Sequence, residues 1–145
     1  MRAMSDGPSM ACSPMNYETT TRGVVVRVTP QFLPDQSDPA QSQFVWAYTV
    51  DVENHGADTI TLVSRHWEIT DGLGRMETVD GPGVVGEQPT LKTGEAFRYT
   101  SGCPLSTPSG MMGGTYQMVT QGGEKFDAAI PAFSLHLPEA TARLN

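Results

Sequence analysis

From Tyr17 onward apolar and polar positions alternate with a period of two, the signature of half-buried strands. TTTRGVVVRVT places Val24, Val26 and Val28 on one face. Pro30, Pro34 and Pro39 then break the chain across a polar loop, Pro30 to Ser42. Gln43–Glu53 alternates most cleanly. Phe44, Trp46, Tyr48, Val50 and Val52 face one side, and Val45, Ala47, Thr49, Asp51 and Glu53 the other. Asn54–Asp58 reads as a turn, and Thr59–Thr70 as the next strand. There Thr61, Val63, Arg65, Trp67 and Ile69 share a face, while Ile60 and Leu62 take the other, which predicts a change of burial or a bulge midway.

Asp71-Gly72-Leu73-Gly74 closes a hairpin onto Arg75–Asp80. A Gly/Pro-rich loop, Gly81 to Pro89, follows. Ala96–Thr100 is a strand with Phe97 and Tyr99 on one face, and Ser101–Gly110 a second loop carrying Pro104 and Pro108. Thr115–Thr120 and Lys125–Leu137 form the final pair around a Gln121-Gly122-Gly123 turn. Pro131 demands an edge position or a bulge in the last strand. Seven to eight short antiparallel strands with no helical periodicity predict an all-β sandwich or barrel. Residues 1–16 mix Ser, Pro, Gly and Met without period and read as a disordered N-terminal extension. Residues 17–138 form the domain and 139–145 a C-terminal tail.

Composition sharpens this picture. The 145 residues include 15 Gly and 11 Pro, only 17% are charged, and the apolar share is 38%. That fits many turns and excludes a coiled coil. Net charge is −7, from 9 Lys and Arg against 16 acids. The basic residues sit singly, so direct nucleic-acid binding is not expected. No apolar stretch is long enough to cross a bilayer, and residues 1–16 lack the apolar core of a secretory signal. A cytoplasmic protein is the expectation, with Cys12 and Cys103 as free thiols.

Gly81-Pro82-Gly83-Val84-Val85-Gly86 matches the G-x-G-x-x-G pattern of dinucleotide sites. Such glycines work by turning a strand into a helix whose first amides hold a pyrophosphate. Here Glu87-Gln88-Pro89 follows and no amphipathic helix can start. The expectation is therefore a tight structural loop, with a weak anion or nucleotide site at Gly81, Gly83, Val84, Val85 and Gly86 as the alternative. His55, His66 and His136 are dispersed, and no Cys/His spacing writes a metal site. If Co²⁺ bound, His66 and His136 are the first ligands to test. No nucleophile lies in a recognisable catalytic setting. The reading is a non-enzymatic protein without a cofactor.

One stretch, GPGVVGEQPTLKTGEAFRYTSGCPLSTPSGMMGGTYQM from Gly81 to Met118, resembles the ApaG family. So do Phe44–Val50, Arg65–Asp71 and Ile130–Leu135, and the resemblance runs from about Tyr17 to Pro138. It implies an immunoglobulin-like, fibronectin type III-like β-sandwich. It also implies a link to cobalt resistance and magnesium efflux, and a kinship with domains that look like protein-binding modules. On that footing the leading expectation is a module for protein–protein interaction. Its partner is an unidentified protein, with a homodimer among the options, and there is no membrane insertion. The loops Gly81–Pro89 and Ser101–Gly114 are long and nearly charge-free. They offer Val84, Val85, Glu87, Met111 and Met112 as partner-binding residues. The alternatives are the anion loop and a divalent-cation-responsive protein.

Overall fold

The computed structural model describes Tyr17–Pro138. The expected extension at 1–16, with Cys12, and the tail at 139–145 lie outside the described residues. The strands are β1 (Tyr17–Thr21), β2 (Val24–Phe32), β3 (Phe44–Asn54), β4 (Ile60–Asp71), β5 (Met76–Pro82), β6 (Thr90–Leu91), β7 (Ala96–Leu105), β8 (Gly110–Thr120) and β9 (Lys125–Leu135). Two short 3-10 turns, Pro34–Gln36 and Pro39–Gln41, occupy the β2–β3 loop. One sheet runs β1-β2-β3-β7 and the other β5-β4-β8-β9, with β6 paired to β4. Every pairing is antiparallel, and the two sheets form a β-sandwich.

Alternation builds the core. In β3 every second residue is buried, so Trp46, Tyr48, Val50 and Val52 face the opposite sheet. Trp67 and Phe133 answer from the second sheet, edge to face at 6.0 Å, with the Tyr48 ring 5.2 Å from Trp67. Such pairs add about 0.5–1.5 kcal/mol each beyond the area they bury. The register in β4 shifts between Leu62 and Ser64, with Val63 as the extra residue. The bulge explains why Ile60 and Leu62 change face relative to Trp67.

Several boundaries differ from the sequence reading, each for a positional reason. Pro30 does not end β2, which continues to Phe32. Tyr17 of β1 pairs with Val28, and among the described residues β2 has no neighbour on that side beyond it, where proline's missing N–H costs nothing. β7 likewise continues through Ser101 and Pro104 to Leu105, because it is an edge strand. Gly110, Met111, Met112, Gly113 and Gly114 belong to β8. The loop read as Ser101–Gly110 thus contracts to Ser106–Ser109. Pro131 satisfies both expectations: β9 is an edge strand, and its register against β8 shifts between Met112 and Gly114.

The sandwich has a closed edge. The Thr19 hydroxyl donates to the Ala129 carbonyl at 2.5 Å, the Ala129 N–H donates to Thr21 Oγ1 at 3.1 Å, and Tyr17 stacks on Phe133 at 5.9 Å. Arg22 adds a two-pronged pair with Glu124 at 2.8 and 3.0 Å and lies over the Phe126 ring.

Candidate functional site

On the opposite edge, between β5 and β7, the sheets part around a cleft of about 330 Å³. Trp67 and Met112 give it an apolar floor, Tyr48 and Ser101 contribute hydroxyls, and Arg65 and Glu77 contribute charge. A second cavity of about 290 Å³ continues toward the β4–β5 hairpin, where Asp71, Arg75 and Ser106 meet.

The cleft follows from strand periodicity after the Val63 bulge. Arg65, Trp67 and Ile69 sit opposite Gly81, Val79 and Glu77 of β5. In β7, Tyr99, Ser101 and Cys103 alternate toward the core, and Ser101 pairs with Tyr48. A charge, a serine, a cysteine and tyrosines thus occupy core-facing positions on one side of the molecule. The informative exceptions in an apolar core are polar groups of this kind.

Arg65 anchors the neighbouring loop. Its Nη1 donates to the carbonyls of Pro82 at 3.0 Å and Gly83 at 2.9 Å. Its guanidinium comes within 3.0 Å of the position a Cβ on residue 81 would take. The Tyr99 and Tyr116 hydroxyls share a buried hydrogen bond. Burial pushes all three tyrosine phenols up, partly offset at Tyr48 by its contact with Ser101. Burial, and then the charge of Glu77, push the Cys103 thiol up to about 11. Such a thiol stays protonated and unreactive at neutral pH.

The glycine loop proves to be a turn. Val84 N–H donates to Glu87 O at 2.8 Å and Glu87 N–H returns to Val84 O at 2.9 Å. Val85 at φ 41° and Gly86 at φ 82° fill the two left-handed central positions, the geometry of a type I′ turn. Val85 is β-branched, so its conformation is strained. Gly83, at φ 58°, would place a Cβ 2.0 Å from the Glu87 carbonyl oxygen. Its N–H donates to Val63 O at 2.8 Å. Gly83, Val84 and Glu87 thus commit their amides to backbone carbonyls. Among the described residues no α-helix follows to present amides to a phosphate.

The partner-binding residues expected from sequence do not form one surface. Val84 and Met112 are core residues at 1% and 2% exposure, which corrects their expected role. Val85 and Met111 are exposed and Glu87 lies on the turn, but Met111 pairs with Thr70 at the far end of β4. Roughly 20 Å of strand separates that end from Ser64, where the loop begins. His66 and His136 do not meet either: His66 lies level with Ala129 across β8, and roughly 20 Å of β9 intervenes before His136. His66 instead contacts Asp80 at 2.7 Å and Glu68 at 3.3 Å, and these carboxylates, Asp80 foremost, raise its pKa. Among the described residues no group of three or more His, Cys, Asp or Glu is placed to hold a metal ion.

Sequence reading missed Arg65, Glu77, Tyr48 and Ser101 as a site. One signal was present: Arg65 shares its face with Trp67 and Ile69, a charge written into an apolar series.

Known proteins provide context for this geometry. Residues 34–120 match the family model described as the ApaG domain. A protein named ApaG from Caulobacter vibrioides is 59% identical over 129 residues, covering 89% of this chain and 92% of the relative. Another, from Beijerinckia indica, is 55% identical, covering 89% of this chain and 99% of the relative. Among solved structures, a crystal structure named for an ApaA protein from Bordetella pertussis superposes with a TM-score of 0.79 at 48% identity. It covers 87% of this chain and 99% of that one.

Proposed function

The chain belongs to the ApaG family, and from that premise we propose that it is a non-enzymatic β-sandwich module that binds a partner protein through its open β5–β7 edge. The observation that carries this reading is the asymmetry of the sandwich. One edge is stitched by cross-sheet hydrogen bonds, while the other exposes β5 along its length beside a cleft with polar groups around an aromatic floor. Concave sites with a few convergent polar groups are where binding concentrates. An unpaired strand edge is a template for another chain.

An association with cobalt or magnesium efflux would pass through such a partner. Among the described residues no helix is long and apolar enough to cross a membrane. The nucleotide reading of Gly81–Gly86 has less support, since the Gly83 and Val84 amides of that loop already donate to carbonyls. The test is photo-crosslinking in the source cell, with a photoreactive residue at Val79 on the open edge or at Thr20 on the closed one. A discrete protein adduct at Val79 and none at Thr20 is expected, and an adduct with a second copy of the chain identifies a homodimer. No adduct at either position, or the same adducts at both, overturns the reading.

A further inference from the structure

Among the described residues, Arg22, Arg27, Arg75 and Arg98 each reach a carboxylate at 2.6–3.0 Å. Arg65 makes no such pair. It is nonetheless less exposed than a surface arginine and lines the cleft. Glu77, which lines the same cleft, also makes no ion pair among the described residues. The two stand at opposite ends of one groove. Arg65 is opposite Gly81 and Glu77 is opposite Ile69, with Trp67 and Val79 between them. Four residues of strand put the two charged positions roughly 13 Å apart, too far to satisfy each other directly.

Gly81 matters here. A Cβ at that position would come within 3.0 Å of the guanidinium, a tight contact, so glycine lets Arg65 lie close over β5 at the end of the groove. β5 pairs only with β4, and its other edge is unoccupied within the described residues.

We propose that the cleft takes an extended segment of a partner protein, laid as an added strand along β5, with an acidic side chain at Arg65, an apolar one over Trp67 and a basic one at Glu77. This rests on the binding-module reading and specifies the partner's chemistry. In an added strand, residues i, i+2 and i+4 face the same side and repeat at the spacing of the host strand. The three positions therefore match Arg65, Trp67 and Glu77 in order. Main-chain hydrogen bonds to β5 supply affinity without sequence preference, and the alternate side chains supply selectivity. Arginine suits the acidic position because its planar fork grips a carboxylate with two bonds. His66, Glu68 and Asp80 belong to the opposite face of the sheet and do not enter the groove.

The experiment is selection of phage-displayed random linear peptides on the intact chain, followed by affinity measurement and amide-shift mapping with the selected peptides. Expected peptides carry Asp or Glu four positions from Lys or Arg with an apolar residue midway, and they shift the amides of Glu77–Gly81. Arg65→Lys should weaken them about tenfold, the value of a lost charge-assisted bond. Glu77→Lys should turn the preference at the basic position to acidic. Since Glu77 is exposed and makes no ion pair, that variant remains informative even if Arg65→Lys disturbs the loop it anchors. Peptides without the paired charges, or indifferent to Glu77→Lys, overturn this proposal while leaving the module reading standing. No enriched peptide together with no adduct at Val79 defeats both.

Discussion

Along the β1–β9 edge, side chains cross from one sheet to the other: Thr19 and Thr21 bond the backbone of Ala129, and Tyr17 stacks on Phe133. Along the β5–β7 edge, the crossing links described lie at the hairpin end, where Arg75 reaches Ser106 at 3.1 Å and Gly72 N–H donates to Thr107 at 2.9 Å. The rest of that edge is cavity. The difference lies in side-chain reach and chemistry. Threonines are short and carry a hydroxyl that can pair with a facing backbone group. β5 presents Glu77 and Val79 toward the cleft, which offer β7 no hydrogen-bond donor. Closure serves stability, and the unclosed edge leaves room for a ligand.

The largest effect is expected at the junction of the closed edge with the aromatic core. Phe133 is fully buried against Tyr17, Tyr48 and Trp67. Phe133→Ala should cost about 3–5 kcal/mol in a urea titration. The next step down separates two glycines of one turn. Gly83→Ala meets both a left-handed φ and the Glu87 carbonyl, and should cost more than about 2 kcal/mol, whereas Gly86→Ala, with nothing within 4 Å of its Cβ, should cost about 1 kcal/mol. Equal losses would break the claim that close approach, and not φ alone, fixes Gly83.

A direct contrast of the edges comes from matched conservative changes. Thr19→Val removes the bond to Ala129 and should cost about 1 kcal/mol, while Val79→Thr on the open edge should stay within about 0.5 kcal/mol. Comparable losses at both would erase the distinction between closed and open.

The smallest effect is electrostatic. Asp80, and then Glu68, raise the His66 pKa above its ordinary value near 6.5. A raised folded-state pKa contributes stability that is fully present below the unfolded value and is lost as pH rises through the folded value. His66→Gln should therefore destabilise most at about pH 5.5 and least at about pH 9. An NMR titration of the His66 ring with a midpoint below about 6.5 would contradict this assignment.

Much of the architecture could be read from residues. The alternation in Gln43–Glu53 announced β3, and the face change between Leu62 and Trp67 announced a change of burial or a bulge that the structure places at Val63. Pro131 announced an edge or a bulge, and β9 shows both. The misjudged boundaries fell at Pro30, Pro104 and Gly113, residues that usually break strands. Proline is harmless only where no neighbour needs its N–H, and that depends on sheet order. Two of the expected interaction residues failed for a related reason: loop composition drew attention to Val84 and Met112, whose burial is decided by what packs over them.

Periodicity and turn chemistry, which are local, determined that this chain makes an antiparallel all-β domain and which residues of β2 and β3 face its core. Only the tertiary structure decided which strands became edges, that β1 and β9 close one side and that Arg65 and Glu77, without an ion pair among the described residues, stand across one cleft. Those outcomes depend on contacts between residues far apart in the chain, and period-two alternation carries no information about which strands will be neighbours.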